Sequence, residues 1–128
     1  MMRGQSDIQD YRDLAVWQLG MDVTVATYEV TKSFPIDEKY GLISQLRRAA
    51  SSVPANIAEG HAKSSTKEYL HHVSIALGSI AEITTFLELA TRLQYLQETT
   101  VQPLVEQLQH ERRMLRGLQN SLRNRVKK

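Results

Sequence analysis

The 128-residue chain contains no cysteine, which excludes disulfides, thiolate metal centres and cysteine nucleophiles. Proline (3) and glycine (6) are scarce and aromatic residues make up only 6%, a composition that favours helix over sheet. The glycines at 4, 20, 41, 60, 78 and 117 are isolated, so there is no Walker loop, dinucleotide fingerprint or nucleophile elbow. Zinc-finger spacing, an aromatic ribonucleoprotein motif and a helix-turn-helix glycine turn are missing as well. The segment MMRGQSDIQDYRD is polar and lacks the apolar stretch of a secretory signal. No apolar run approaches the roughly 20 residues that cross a bilayer. A cytoplasmic protein with no membrane partner is expected.

Helix-forming residues dominate what is present, and the length suits a single domain over 1–128, able to bury about two-thirds of its unfolded surface. Punctuation divides the chain into helices over about 13–32, 37–59, 65–95 and 100–123. Pro35 biases Phe34 away from helix and ends the first. Asp37 is the expected N-cap of the second, and Gly60 its closing residue. Ser65 and Glu68 form an S-x-x-E capping box for the third. Thr100 is expected to cap the fourth, with Pro103 in its first turn and residues 124–128 frayed.

Apolar stripes recur at spacings of 3, 4 and 7. Leu14, Trp17, Met21, Val25 and Tyr28 align on the first helix, Leu70, Val73, Leu77, Ile80 and Leu87 on the third, and Leu104, Leu108, Leu115, Leu118 and Leu122 on the fourth. Connections this short predict an all-α, antiparallel, up-down-up-down four-helix bundle. A second set on the first helix (Val16, Leu19, Val23, Ala26, Val30) and another on the third (Tyr69, Ala76, Ile83, Phe86, Ala90, Leu93) exceed what one seam needs. The surplus predicts self-association; the alternative is a single wide core-facing stripe.

The second helix carries QLRRAASSVPANIAEG, in which Gln45, Arg48, Ser52, Asn56 and Glu59 share one face. Its apolar face is Leu42, Leu46, Ala49, Val53 and Ile57. Pro54 removes the amide that would bond the Ala50 carbonyl. Glu59 and Glu82 are expected to pair with Arg47 or Arg48, completing a structural polar network. Gly78-Ser79 is expected to bring the third helix close to the second. Replacing Asn56 or Glu59 by Ala should harm folding or assembly.

Catalytic candidates are few. Glu68-Tyr69-Leu70-His71 is a literal Glu-x-x-His, yet a dinuclear carboxylate site needs a second copy and two further glutamates. Adjacent His71 and His72 point about 100° apart on a helix, while His61 and His110 stand alone. No metal, cofactor or catalytic residue is expected, so the reading is non-enzymatic.

Charge is unevenly placed. Residues 1–101 hold 9 Lys/Arg against 12 Asp/Glu, whereas residues 102–128 hold 7 against 2, giving net charges of −3 and +5. The cations are Arg112, Arg113, Arg116, Arg123, Arg125, Lys127 and Lys128. They are the candidate nucleic-acid-binding residues, suited to salt-sensitive phosphate contacts with little sequence selectivity; the alternative is a solvated last helix whose cations are favoured near its C-terminus by the macrodipole.

Several segments together resemble a known family. Asp13-Leu14-Ala15-Val16-Trp17-Gln18, Phe34-Pro35, Gln45-Leu46-Arg47-Arg48-Ala49-Ala50, Asn56-Ile57-Ala58-Glu59-Gly60 and Ala76-Leu77-Gly78-Ser79 with Glu82 are similar to the four-helix bundle proteins encoded by 23S ribosomal RNA intervening sequences. The resemblance runs from about Leu14 to Leu96. It implies an antiparallel bundle assembled side by side into a ring, a homopentamer. It also implies a distant likeness to accessory proteins of diversity-generating retroelements, pentameric bundles that bind a reverse transcriptase and nucleic acid. The leading expectation is an oligomeric RNA- or ribonucleoprotein-binding accessory; the alternative is a protein–protein interaction scaffold with no nucleic-acid role.

Overall fold

Residues 10–127 are described in the computed structural model. Among them four α-helices and no strand occur: α1 Ala15–Thr31, α2 Leu42–Ala62, α3 Thr66–Arg92 and α4 Glu98–Lys127. Short 3-10 turns at Tyr11–Asp13 and Ile36–Glu38 precede α1 and α2. α1 packs on α2 and α4, α3 packs on the same two, and the Cα atoms of the diagonal pairs stay more than 8 Å apart. One apolar core lies between the four, built on Val23, Leu46, Val53, Ile57, Val73, Ile83, Leu87, Leu108, Leu115 and Leu122.

The helix ends follow local hydrogen-bond supply and differ in places from expectation. Asp37 does not cap α2, because it lies inside the 3-10 turn and the helix starts at Leu42. Glu38 supplies the acceptor instead: its Oε1 takes the Leu42 amide at 3.1 Å and its Oε2 takes the Tyr95 hydroxyl at 2.9 Å. Gly60 does not close α2, which continues to Ala62. Ser65 does cap α3, its Oγ accepting the Glu68 amide at 3.3 Å.

α3 ends at Arg92 with Gln94 at φ 66, where the Tyr95 amide bonds the Ala90 carbonyl and the Gln94 amide bonds that of Thr91. This left-handed cap satisfies two carbonyls that would otherwise be orphaned. α4 begins at Glu98, with the Gln97 carbonyl accepting the Thr100 and Val101 amides. Thr100 is therefore inside the helix and Pro103 falls in its second turn. Helical order continues to Lys127, so residues 124–127 are not frayed.

The seams also differ from the periodicity reading. On α1 the buried residues are Val16, Gly20, Val23, Thr27 and Thr31, so the set read as surplus faces the core. Met21, Val25 and Tyr28, read as core, are 41%, 61% and 42% exposed. Thr27 and Thr31 bury without loss because their hydroxyls donate to the Val23 and Thr27 carbonyls at 2.8 and 2.9 Å. On α3 both sets contribute to one wide face, with Val73, Ala76, Ile80, Ile83, Leu87 and Ala90 all buried. α3 is also long enough to cross a membrane and holds an 18-residue window apolar enough to do so by composition, with a mean hydropathy of 1.5. That corrects the reading that no segment approaches this; α3 packs on α2 and α4 through its wide apolar face.

α1, α2 and α4 meet where α1 has no side chain. A Cβ on Gly20 would stand 2.8 Å from Oε2 of Glu111 and 3.5 Å from the Pro54 ring. Pro54 leaves the Ala50 carbonyl without its helical amide. Thr24 answers that deficit from α1, its hydroxyl lying 3.0 Å from the Ala50 carbonyl and 2.8 Å from that of Gly20. Glu111 is fully buried, and neither carboxyl oxygen has a hydrogen-bond partner among the described residues. Burial alone pushes its pKa from 4.5 up to about 8.

Two glycines separate close approach from mere tolerance. A Cβ at Gly60 would lie 2.8 Å from the Tyr69 ring and 2.9 Å from Cβ of His72, whereas one at Gly78 meets nothing within 4 Å. Gly60 is where a side chain would be excluded between α2 and α3; Gly78 faces open space, while Ser79 beside it meets Ser52 of α2 at 2.9 Å. Gly60→Ala should destabilise the fold by about 1–3 kcal/mol through overpacking. Gly78→Ala should stabilise it by up to about 1 kcal/mol through helix propensity. Denaturant titration of both variants checks this, and equal effects contradict it.

Glu111 yields a pH prediction. Between pH 4.5 and about 8 the folded chain holds a proton that the unfolded chain has released. Stability contributed by that proton is full below pH 4.5, declines as pH rises through this window and is gone above about 8. Glu111→Gln should remove the decline, making the variant more stable than the parent at pH 8–9 by a few kcal/mol, on the order expected for such a shift. Chemical denaturation from pH 4 to 9 measures the difference, and parallel curves contradict it.

Candidate nucleic-acid interface

α4 sorts its residues by side. Val101, Leu104, Leu108, Glu111, Leu115, Gln119 and Leu122 are buried, while Arg112, Arg113, Arg116, Arg123, Arg125 and Lys127 are all exposed. At 100° per residue, Arg112, Arg116, Arg123 and Lys127 fall within about 60° of one another and Arg113 about 40° beyond. Arg125 lies on the opposite flank. Its charge acts on Tyr69, lowering a pKa that burial raises more strongly. Lys128 lies outside the described residues.

Five of the candidate cations thus form one stripe, spanning about 22 Å from Arg112 to Lys127 at 1.5 Å per residue. Among the described residues none of these cations is in a salt bridge. Arg116 is steadied by Gln119, its Nη1 donating to Oε1 at 2.9 Å. A protonated Glu111 leaves Glu106 as the sole carboxylate in residues 102–128, so the net charge there rises from +5 to +6.

The polar stripe of α2 divides in two. Ser52 and Asn56 turn into the α2–α3 seam. The Ser79 hydroxyl donates to Ser52 Oγ at 2.9 Å, and Asn56 Nδ2 lies 3.0 Å from Ser52 Oγ and 2.9 Å from its carbonyl. Asn56 Oδ1 accepts from His72 Nδ1 at 2.9 Å, an arrangement that assigns the ring proton to Nδ1. Glu59 Oε2 is 4.0 Å from the same nitrogen but its side chain is 63% exposed.

Gln45, Arg48 and Glu82 stay on the outside, lining with Tyr40, Ser52 and Ser79 a groove of about 390 Å³. The expected Arg–Glu pairing is not formed: among the described residues no salt bridge joins Arg47 or Arg48 to Glu59 or Glu82. Arg47 turns to α1, stacking 4.6 Å over the Tyr28 ring and donating from Nε to Thr31 Oγ1 at 3.0 Å. Arg48 reaches Ser44 Oγ at 3.4 Å.

Sequence reasoning missed His72 as a network member. Its available signal was the seven-residue spacing from Ser79, which puts both on the α2 side of α3. Glu68 and His71 are exposed on α3, and among the described residues no three metal-ligating side chains cluster.

Four packed helices, a polar seam between α2 and α3 and a cationic outer side on α4 define a small all-α protein whose most chemically distinct surface is charged. The chain belongs to the 23S rRNA-intervening sequence protein family, whose model matches residues 12–117. The match extends past Leu96 into α4, taking in Arg112, Arg113 and Arg116. A crystal structure at 1.70 Å of a protein of unknown function from the S23 ribosomal protein family of Bacteroides thetaiotaomicron VPI-5482 is similar to it. The TM-score is 0.74 at 19% identity, over 82% of this chain and 98% of that one, a likeness of fold. No curated protein matches the chain.

The seam geometry narrows the expectation for Asn56 and Glu59. Asn56→Ala leaves His72 and Ser52 without their shared partner and should cost about 1–2 kcal/mol. Glu59→Ala, at an exposed position, should stay within about 0.5 kcal/mol. Urea denaturation separates the two, and a larger loss for Glu59→Ala contradicts this account.

Proposed function

We propose that this protein is a non-enzymatic, cytoplasmic accessory that binds RNA or a ribonucleoprotein. In this reading it assembles as a homopentameric ring of antiparallel, up-down-up-down bundles. The observation that carries the RNA part is the stripe of Arg112, Arg113, Arg116, Arg123 and Lys127, exposed and without carboxylate partners among the described residues. Exposed cations with no internal ion pair retain their field for an external polyanion, and a guanidinium can pair with phosphate bidentately. Membership of the 23S rRNA-intervening sequence protein family agrees with this.

Self-association is supported by apolar side chains left outside the core. Met21, Val25 and Tyr28 line α1, Ile75 and Leu89 line α3 with Leu93 just past its end, and Tyr40 is 87% exposed. Exposed apolar side chains of this kind are what a subunit interface covers. The three-residue connection between α2 and α3 and the five-residue one between α3 and α4 suit helices that reverse direction. The same apolar surface favours the second reading, a protein scaffold with no nucleic-acid role.

Fluorescence anisotropy with a structured rRNA fragment across a salt series tests the proposal. Binding should weaken steeply with salt. Changing Arg112, Arg113 and Arg116 together to Gln should lower affinity at least tenfold and reduce the log–log salt slope by about 2–3, as expected for three lost phosphate contacts. No binding at about 50 mM salt, where screening still leaves exposed charges effective, would transfer the function to the protein scaffold.

A further inference from the structure

The cationic stripe is continuous with a cleft. Between α3 and α4 lies a half-open space of about 440 Å³, floored by Leu77, Ile80 and Ala81 and edged by Thr84, Thr85, Arg112 and Arg116. That volume falls within the roughly 300–1,000 Å³ of small-ligand sites.

The lining is specific in its chemistry. The Thr84 and Thr85 hydroxyls donate to the Ile80 and Ala81 carbonyls at 2.9 and 2.8 Å, so their oxygens remain as acceptors. The two guanidiniums, four residues apart, stand one helical turn from each other. Gln119, only 4% exposed, holds Arg116 from below through a 2.9 Å bond, which fixes a long side chain at the cleft edge before anything binds. A fitting ligand therefore has one anionic group, a flat body with apolar faces, and N–H donors at its edge.

We propose that this cleft receives one unstacked nucleotide of a single-stranded RNA, with its phosphate on Arg112 and Arg116 and its base over Leu77, Ile80 and Ala81. The inference rests on the RNA-binding reading of α4 and narrows it from polyanion to single strand. A base in a duplex is stacked and paired, and its flat faces are out of reach, whereas an unpaired base offers face and edge together. Guanidinium planes serve both as phosphate partners and as stacking surfaces for such a base.

Anisotropy with the full chain, a single-stranded RNA oligonucleotide and a blunt RNA duplex of equal length tests the inference. The single strand should bind at least tenfold more tightly at matched salt. Ala81→Leu, which fills the floor at an exposed helical position, should remove most of that preference while leaving duplex binding and salt slope unchanged. Thr84→Val, which deletes one acceptor at nearly constant shape, should weaken single-strand binding severalfold and stands in if Ala81→Leu alters the circular dichroism. Equal affinity for both RNAs, or a preference untouched by either variant, overturns the cleft inference and leaves the stripe reading intact. No binding of either RNA overturns both, and tight binding of an acidic peptide in its place assigns the surface to a protein partner.

Discussion

The arrangement of α1, α2 and α4 depends on a contact made possible by a missing side chain. Gly20 lets the Glu111 carboxyl and the Pro54 ring press against the α1 backbone, where a single methyl would come within 2.8 Å of a carboxyl oxygen. A carboxylate cannot be held in such a place without partners unless it gives up its charge. The helix break at Pro54 is accommodated by Thr24, whose hydroxyl stands in for the absent amide at the Ala50 carbonyl. Glycine, proline, threonine and a neutral glutamate thus form one packing unit across three helices. Its consequence reaches the surface, because a neutral Glu111 leaves the outer arginines of α4 almost unopposed by acid on their own helix.

The α2–α3 seam solves a different problem. Here Gly60 admits the Tyr69 ring and the His72 Cβ, while Ser52, Asn56, His72 and Ser79 bond to one another rather than to water. Polar groups satisfied in this way fix the longitudinal register of two helices that apolar contacts alone would allow to slide. With α2 and α3 registered, α4 closes the ring of contacts and presents the α3–α4 cleft beside its basic stripe. The groove and the cleft are therefore products of the same two seams.

Much of the fold was legible because helix punctuation and periodicity are local. The four segments, the Ser65 cap and the inward face of α2 follow from spacing alone. The choice between two stripes on α1 was not legible from hydrophobicity. Thr27 and Thr31 read as polar, yet their hydroxyls bond carbonyls of their own helix and bury freely, while Met21 and Val25 read as core and lie outside. Caps failed where the acceptor came from elsewhere, as when Glu38 rather than Asp37 served the start of α2. Glu111 gave no signal, since nothing on α4 alone reveals that it faces a glycine on α1. The cations of α4 were legible as a set, but Arg125 separates from the stripe only when its angle on the helix is considered. Arg47 was assigned to a carboxylate, and a tyrosine ring and a threonine hydroxyl on α1 took it instead.

The chain belongs to the 23S rRNA-intervening sequence protein family, and α4 sorts its cations away from its buried side. The account stands on one protonated carboxyl beneath a cationic surface. Carbon-13 NMR titration of the Glu111 carboxyl carbon in the intact protein measures it directly. The account requires a midpoint near 8, set by burial. A midpoint near the ordinary 4.5 would mean that the carboxyl is ionised and solvated at neutral pH, and that the junction of α1, α2 and α4 is not packed as described.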